Sequence, residues 1–334
     1  MILSSYPPVS NSLSPHGILN FSVATFFLRR LFAISIPLLD DKNLEDCNTY
    51  IDWEVSELEK CFPEVQSDWP VELQQMLVIH ARGLFIWVRV VVQYLKTKST
   101  NLIVALKDLL DNGSSREDVP AEEQLDDLYA AILRKCNWRD KSFRTNYPIV
   151  MGAIVTARSS LSIAAWDALL SPLLHPGSGV NDVISELRPL FIGADDRSTG
   201  IQLLHQSFRD YLKWRISNDV FPTLDSVKDH ERLALRCFQV INAEIPKVAD
   251  LGMIERLGHR EVIRTISHGE VSEELGYACL FALDHTLETK EASEAAEVEI
   301  KKFLDESITN WVELCVRTKT YISIGSFFDW IEVS

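Results

Sequence analysis

Between residues 190 and 212 the hydrophobic pattern leaves the helical period and then returns to it, and few folds accommodate that change inside an otherwise helical chain. Leu190-Phe191-Ile192 and Ile201-Gln202-Leu203-Leu204 are short apolar runs on either side of Gly193-Ala194-Asp195-Asp196-Arg197-Ser198-Thr199-Gly200. A polar stretch bounded by glycines suits a turn, so the segment reads as two short strands joined by a polar wing. Leu204, Phe208, Tyr211 and Leu212 then resume the spacing of one helix face, with His205 at the junction. Apolar segments at 148–157 and 161–174 come before it, and Pro176-Gly177-Ser178-Gly179 is turn chemistry ahead of a helix through about Leu187. Three helices followed by a hairpin make a winged helix, expected over 142–215.

On both sides the pattern is helical. A short strand is expected at Ile34–Leu38, and a helix from about Leu44 to Lys60 after the turn Asp40-Asp41-Lys42-Asn43. Trp69-Pro70 opens another helix, because proline is tolerated in a first turn, where its missing N–H has no partner to lose. Val71, Leu73, Leu77, Val78 and Ala81 follow at near-helical spacing up to Gly83, where the chain can bend cheaply. From Leu84 to Leu95 only Arg89 and Gln93 interrupt an apolar run, so the helix from Leu84 to about Thr97 should be buried on nearly all sides, with Trp87 packed. Leu125, Leu128, Tyr129, Ile132, Leu133 and Cys136 step by three and four residues behind Pro120, the clearest amphipathic pattern in the chain. Ser226 with Asp229 reads as a capping box opening a helix that carries Leu233, Ala234, Cys237, Phe238 and Ile241 on one side. Leu275, Cys279, Ala282 and Leu283, then Ile300 through Cys315, continue as antiparallel helices without a clean repeat. The expected organisation is mainly α: a loose leader over 1–43, a first helical domain over 44–136, the winged helix with its short β-hairpin over 142–215, and a second helical domain over 226–334.

Composition narrows the function classes. With 46% hydrophobic and 24% charged residues the chain is globular in character, not a disordered one. Forty-eight acidic against 33 basic residues give −15, a field that repels phosphate backbones unless a local basic patch overrides it, and no such patch stands out. The cysteines at 47, 61, 136, 237, 279 and 315 lack C-x-x-C spacing and read as core thiols of a cytoplasmic protein. The apolar stretch Ile18–Leu39 is broken by Arg29-Arg30 and follows a Ser/Pro-rich start, so it does not read as a secretion signal. The run from Leu84 to Leu95 is shorter than the roughly 20 residues a bilayer span needs.

Signatures of catalysis are missing. A P-loop requires glycine amides around the phosphates and a lysine beside them, yet no glycine here precedes a lysine and no G-x-G-x-x-G occurs. His230-Glu231 begins an H-E-x-x-H pattern, but position 234 is alanine, and no cysteine pair has zinc spacing. No nucleophile elbow exists either. His205, Ser207 and Asp210 lie close together, but residues two apart on a helix point to different sides, which argues against a His-bridged relay among them. No catalytic or metal-ligating residue is expected.

The stretch Leu203-Leu204-His205-Gln206-Ser207-Phe208-Arg209-Asp210-Tyr211-Leu212 resembles the H-x-S-F-x-D-[FY]-L signature closing the winged-helix region of NACHT-type signalling ATPases, especially the large fungal ones related to NOD-like receptors. Other segments resemble that family in the same order. Ala81-Arg82-Gly83-Leu84-Phe85-Ile86-Trp87 looks like its G-L-F-I-W segment, with Phe85 where the wider family has a proline that touches adenine. Leu125-Asp126-Asp127-Leu128-Tyr129 with Ile132-Leu133 looks like L-D-x-L-Y-x-x-I-L, and Ser160-Leu161-Ser162 is similar to a P-L-S element. The resemblance runs over roughly 40–334 and implies the C-terminal half of such a protein without the P-loop, residues 1–43 being a leader or a remnant of the nucleotide domain. It implies that Gly83 and Leu84 start the adenine-side helix and that His205 matches the histidine contacting the ADP β-phosphate. It further implies that no cofactor is held by this chain alone, ADP or ATP entering only through a nucleotide domain supplied by a missing N-terminal part or a partner.

The function expected on this reading is a non-catalytic interaction or regulatory fragment in the cytoplasm. Its partner would be a protein, the nucleotide domain of a related full-length NACHT protein, with no nucleic acid and no membrane. The alternative is a winged-helix DNA-binding protein, against which the recognition-helix candidate from Val180 to Leu187 carries Asp182 and Glu186, the wrong sign for phosphates.

Overall fold

Apolar residues at helical spacing dominate the sequence, and the fold is correspondingly mainly α. The computed structural model describes residues 40–62, 69–98, 101–110, 119–216, 221–252, 264–320 and 324–333. Residues 1–39 of the expected leader, with the strand expected at Ile34–Leu38, lie outside those residues, while 41–43 already belong to the first helix.

The first group of helices is α1 (Asp41–Cys61), α2 (Trp69–Ala81), α3 (Phe85–Lys96), α4 (Leu102–Leu110) and α5 (Ala121–Arg134). Helix α1 starts ahead of the expected Leu44, because Asp40 is extended at the N-cap and Asp41 puts an acid against the positive helix end. Helix α4 is an addition to the expected set, and its buried residues Leu102, Ile103, Leu106 and Leu109 explain it by their spacing. Between α2 and α3 the chain turns through Arg82 at φ 50° and Gly83 at φ 80°, the backbone region for which glycine has no steric cost. Helix α3 is nearly enclosed: Trp87 is 3% exposed and Val88, Val90, Val91, Val92 and Leu95 are fully buried, while Phe85 and Arg89 reach solvent.

Next come α6 (Lys141–Thr156), β1 (Leu161–Ser162), α7 (Ile163–Leu170), α8 (Val180–Glu186), β2 (Phe191–Ile192) and β3 (Gly200–Leu203), the order of elements in a winged helix. The expected hairpin pairs Phe191 with Leu203 and Ile192 with Gln202. The sheet also has a third strand, in the order β1-β3-β2, with Leu161 opposite Ile201 and Ser162 opposite Gly200. A two-residue strand is too short to show alternation, so it was hidden inside the apolar segment 161–174. Ser162 also caps α7, its hydroxyl accepting from Ala165 N at 3.1 Å.

Short helix α9 (Gln206–Asp210) runs on into a wide turn over Tyr211–Arg215. It is followed by α10 (Ser226–Glu244), α11 (Glu273–Leu287), α12 (Glu294–Lys302), α13 (Ile308–Arg317) and α14 (Gly325–Val333). The capping box expected from Ser226 and Asp229 is replaced by a simpler cap: Asp225 is the N-cap and its carboxylate accepts from Lys228 N at 3.2 Å. Asp229 instead turns inward at 2% exposure and rests on α6 at Gly152, where an added Cβ would lie 2.3 Å from the carboxylate. Helix α10 ties the segments together. Arg236 Nε donates to Leu169 O on α7 at 2.7 Å, and Asn242 Nδ2 donates to Glu299 O on α12 at 3.0 Å. One hydrophobic core runs from Cys47 to Phe327 across all of these elements.

Candidate functional site

The His205 segment takes its shape from three bonds. His205 is extended (φ −154°, ψ 150°) and serves as N-cap of α9, its Nδ1 accepting from Ser207 N at 3.1 Å. A backbone N–H can only donate, so Nδ1 must be the acceptor and the proton of the neutral ring sits on Nε2. The Ser207 hydroxyl lies 2.8 Å from the same Nδ1 and 2.7 Å from the Tyr129 hydroxyl. Tyr129 is fully buried, and burial pushes its phenol above the usual value, with the Ser207 bond opposing. His205 itself is exposed, and among the described residues its Nε2 makes no hydrogen bond.

The support for this histidine comes from α5. Asp126 and Tyr129 are three residues apart on one face of that helix and both grip the His205 segment. Arg215 Nε lies 2.8 Å from Asp126 Oδ2, and Arg215 Nη2 donates to Ser207 O at 3.2 Å. The Tyr129 ring packs on Phe208 and Tyr211 at centroid distances of 5.0 and 5.7 Å. Burial raises the Asp126 carboxyl above its ordinary range, and the Arg215 guanidinium pulls it back. Two stretches singled out separately in the sequence are thus one structural unit, a contact that no local pattern could announce.

The expectation about His205, Ser207 and Asp210 holds only in part. His205 and Ser207 do bond, because His205 precedes the helix in extended backbone and the helical argument does not reach it. Asp210 takes no part: its Oδ1 accepts from Gln206 Nε2 at 2.9 Å. Among the described residues no acid is bonded to the imidazole, and Asp210 is held by Gln206, so the trio is not a relay.

Gly83 and Leu84 lie elsewhere. Both are buried in the α2–α3 elbow, and the Gly83 carbonyl accepts from Asn43 Nδ2 of α1 at 3.1 Å. The elbow reaches α5 through Gln124, whose amide donates to His80 O. At 100° and 1.5 Å per residue, Gln124 sits about 140° around α5 from Tyr129 and roughly 8 Å along it, so the elbow and His205 flank different sides of the helix. In α8, Asp182 closes its own N-terminus by accepting from Gly179 N at 2.8 Å, and Glu186 accepts from Asn137 N at 3.2 Å.

One constellation went unread in the sequence. His230 Nδ1 and His285 Nδ1 are 2.8 Å apart, and His285 Nε2 is 2.7 Å from the Tyr277 hydroxyl. Arg158 N donates to that hydroxyl at 3.4 Å, so Arg158, Tyr277, His285 and His230 form one hydrogen-bonded chain. Burial, then the His230 and Arg158 charges, pulls the His285 pKa down to about 3. The available signal was periodic: His230 lies three and seven residues before Leu233 and Cys237, on the apolar face of α10.

Among the described residues, no group of three or more His, Cys, Asp or Glu is placed to hold a metal ion, and no helix is long and apolar enough to cross a membrane. No protein-family model matches the chain, and neither a curated protein nor a solved structure matches it.

Proposed function

We propose that this chain is a non-catalytic regulatory fragment that docks onto the ADP-bound nucleotide domain of a NACHT-type signalling ATPase and damps its assembly. The observation that carries this reading is the exposed Nε2–H of His205, its ring fixed by Ser207 and backed by Tyr129 of α5 and by Arg215 of the wide turn after α9. A donor held this way needs no reorganisation to meet a diphosphate, and a charge-assisted bond of that kind contributes roughly 1.5 to 3 kcal/mol. The two segments that most resemble the family meet at this point, which supports reading them as one switch element. The elbow at Gly83 and Leu84 is buried beneath α1, so its part is to set the angle of α3 and not to touch nucleotide from this chain. A DNA-binding role has less support, since Asp182 closes the N-terminus of α8, Glu186 accepts from Asn137 N, and the net charge of −15 opposes phosphate approach.

The test is a pull-down with a full-length NACHT relative, with and without ADP. Wild type is expected to bind more with ADP, and His205→Ala is expected to lose that ADP-dependent part. Equal capture of both proteins in both conditions would defeat the reading.

A further inference from the structure

Gly276 stands near the start of α11, and nothing packed there requires a glycine: a Cβ built on it would meet no atom within 4 Å. Glycine inside a helix costs stability relative to alanine, so the space beside it calls for a reason. That space is a cavity of about 300 Å³ between the lead-in to β1 at Ser160, the first half of α11 and the end of α13 at Cys315. Its size falls at the lower end of small-ligand pockets. The walls are mainly apolar, with Leu161, Leu280 and Leu314 beside Cys279 and Cys315. Burial pushes both thiols up, Cys315 to about 12, so at neutral pH they are protonated and act as soft apolar groups. Trp311 Nε1 donates to Cys279 O at 3.1 Å, which fixes the two cysteine-bearing helices against each other. Charge selects as well. Among the described residues that line the cavity there is no lysine, arginine or histidine, and the start of α11 is already closed, the Ser272 hydroxyl accepting from Leu275 N at 3.3 Å with Glu273 and Glu274 in the first turn. An anion finds no partner there. What the cavity offers is an acceptor: Glu273 lines it, its Oε1 accepts from Ser162 N at 2.8 Å, and among the described residues its Oε2 makes no hydrogen bond.

We propose that this cavity binds a small neutral aromatic molecule carrying one N–H or O–H, the class of indole, with its ring over Gly276 and its donor on Glu273 Oε2. Glu273, Gly276 and Leu280 step by three and four residues along one face of α11, so a ring laid on the bare backbone at Gly276 has the carboxylate at one end and the leucine at the other. Sulfur is a favourable neighbour for the edge of such a ring. A donor on the carboxylate makes a charge-assisted bond, which an aliphatic or fully substituted ligand cannot match in both respects. This site is independent of the docking reading for His205, and its failure would leave that reading untouched.

The experiment is calorimetry on the full chain with indole up to about 5 mM, enough to detect a Kd near 1 mM. Three comparison compounds each remove one feature: 1-methylindole lacks the donor, indole-3-acetate adds an anion, and cyclohexanol keeps a donor without the aromatic ring. Indole is expected to bind, 1-methylindole and cyclohexanol several-fold more weakly, and indole-3-acetate at least tenfold more weakly. Gly276→Leu puts a strong helix former into the open space, so its melting temperature should be no lower than that of wild type while indole binding falls at least tenfold. Glu273→Gln, at an exposed position and still able to accept from Ser162 N, should weaken indole several-fold and leave 1-methylindole unchanged. Circular dichroism checks that both variants fold. Absence of heat with indole would overturn the proposal. So would equal binding by indole-3-acetate or cyclohexanol, or indole binding indifferent to Gly276→Leu.

Discussion

His205 owes its tautomer to the backbone N–H of Ser207, two residues on, and the hydroxyl of that serine is in turn held by Tyr129 from far away in the chain. The sequence pattern marked the histidine at a strand-to-helix junction, which is where it stands. What the pattern could not carry was the tautomer, which depends on the extended backbone at the N-cap, or the support from Tyr129, 78 residues before Ser207. His285 shows the opposite behaviour. In the unfolded chain it takes a proton near the ordinary imidazole value of 6.5, but in the folded protein burial and His230 hold that point at about 3. Below pH 6.5 the unfolded state therefore binds a proton that the folded state refuses, so stability is lost as pH falls from 6.5 toward 3 and is fully present above that window. Asp229 works in the other direction, because burial raises its pKa to about 6 and its ionisation costs stability as pH rises through that value. The two slopes overlap, so the measurement is a difference between wild type and His285→Gln in denaturant titrations. Wild type should lose roughly 3 kcal/mol relative to the variant between pH 6.5 and about 4. A difference that stays flat with pH would show that His285 is not held neutral by the fold.

At the level of elements, periodicity located most helices and missed what periodicity does not encode. Helix α3 was read from an apolar run on nearly all sides, and Trp87 within it is 3% exposed. Trp87→Ala should cost roughly 3 to 5 kcal/mol, visible as a lowered urea midpoint with little change in slope. An unchanged midpoint would mean that α3 is not part of the core. Strand β1 escaped because two residues have no period, and α4 because its pattern is a single short stripe. The start of α10 was misplaced by one residue, since Ser226 and Asp229 have capping-box spacing while the extended backbone belongs to Asp225. Those alternatives separate cleanly by mutation. Asp225→Ala should destabilise by about 1 kcal/mol, and Ser226→Ala by a few tenths at most. The reverse order would restore the capping box.

Across the whole molecule, α10 joins the winged helix to the helices that follow through Arg236 and Asn242, and one core extends from Cys47 to Phe327. A chain welded in this way presents His205 as a fixed feature of its surface, not as a residue on a separate module. Fold class was legible because it rests on hydrophobic periods; the site was legible only as residues, because its geometry joins α5 to α9 across most of the winged helix. The central claim is that this surface recognises the ADP-bound state of a related nucleotide domain. Its most direct test is calorimetry of ADP binding to that domain with and without this chain, the chain alone showing no affinity as tight as about −8 kcal/mol, the micromolar level. Linkage requires the factor by which ADP strengthens docking to equal the factor by which docking strengthens ADP binding. The account predicts that ADP binds the relative roughly tenfold more tightly when wild-type chain is present, and that His205→Ala removes this gain. The same ADP affinity with and without the wild-type chain would contradict it.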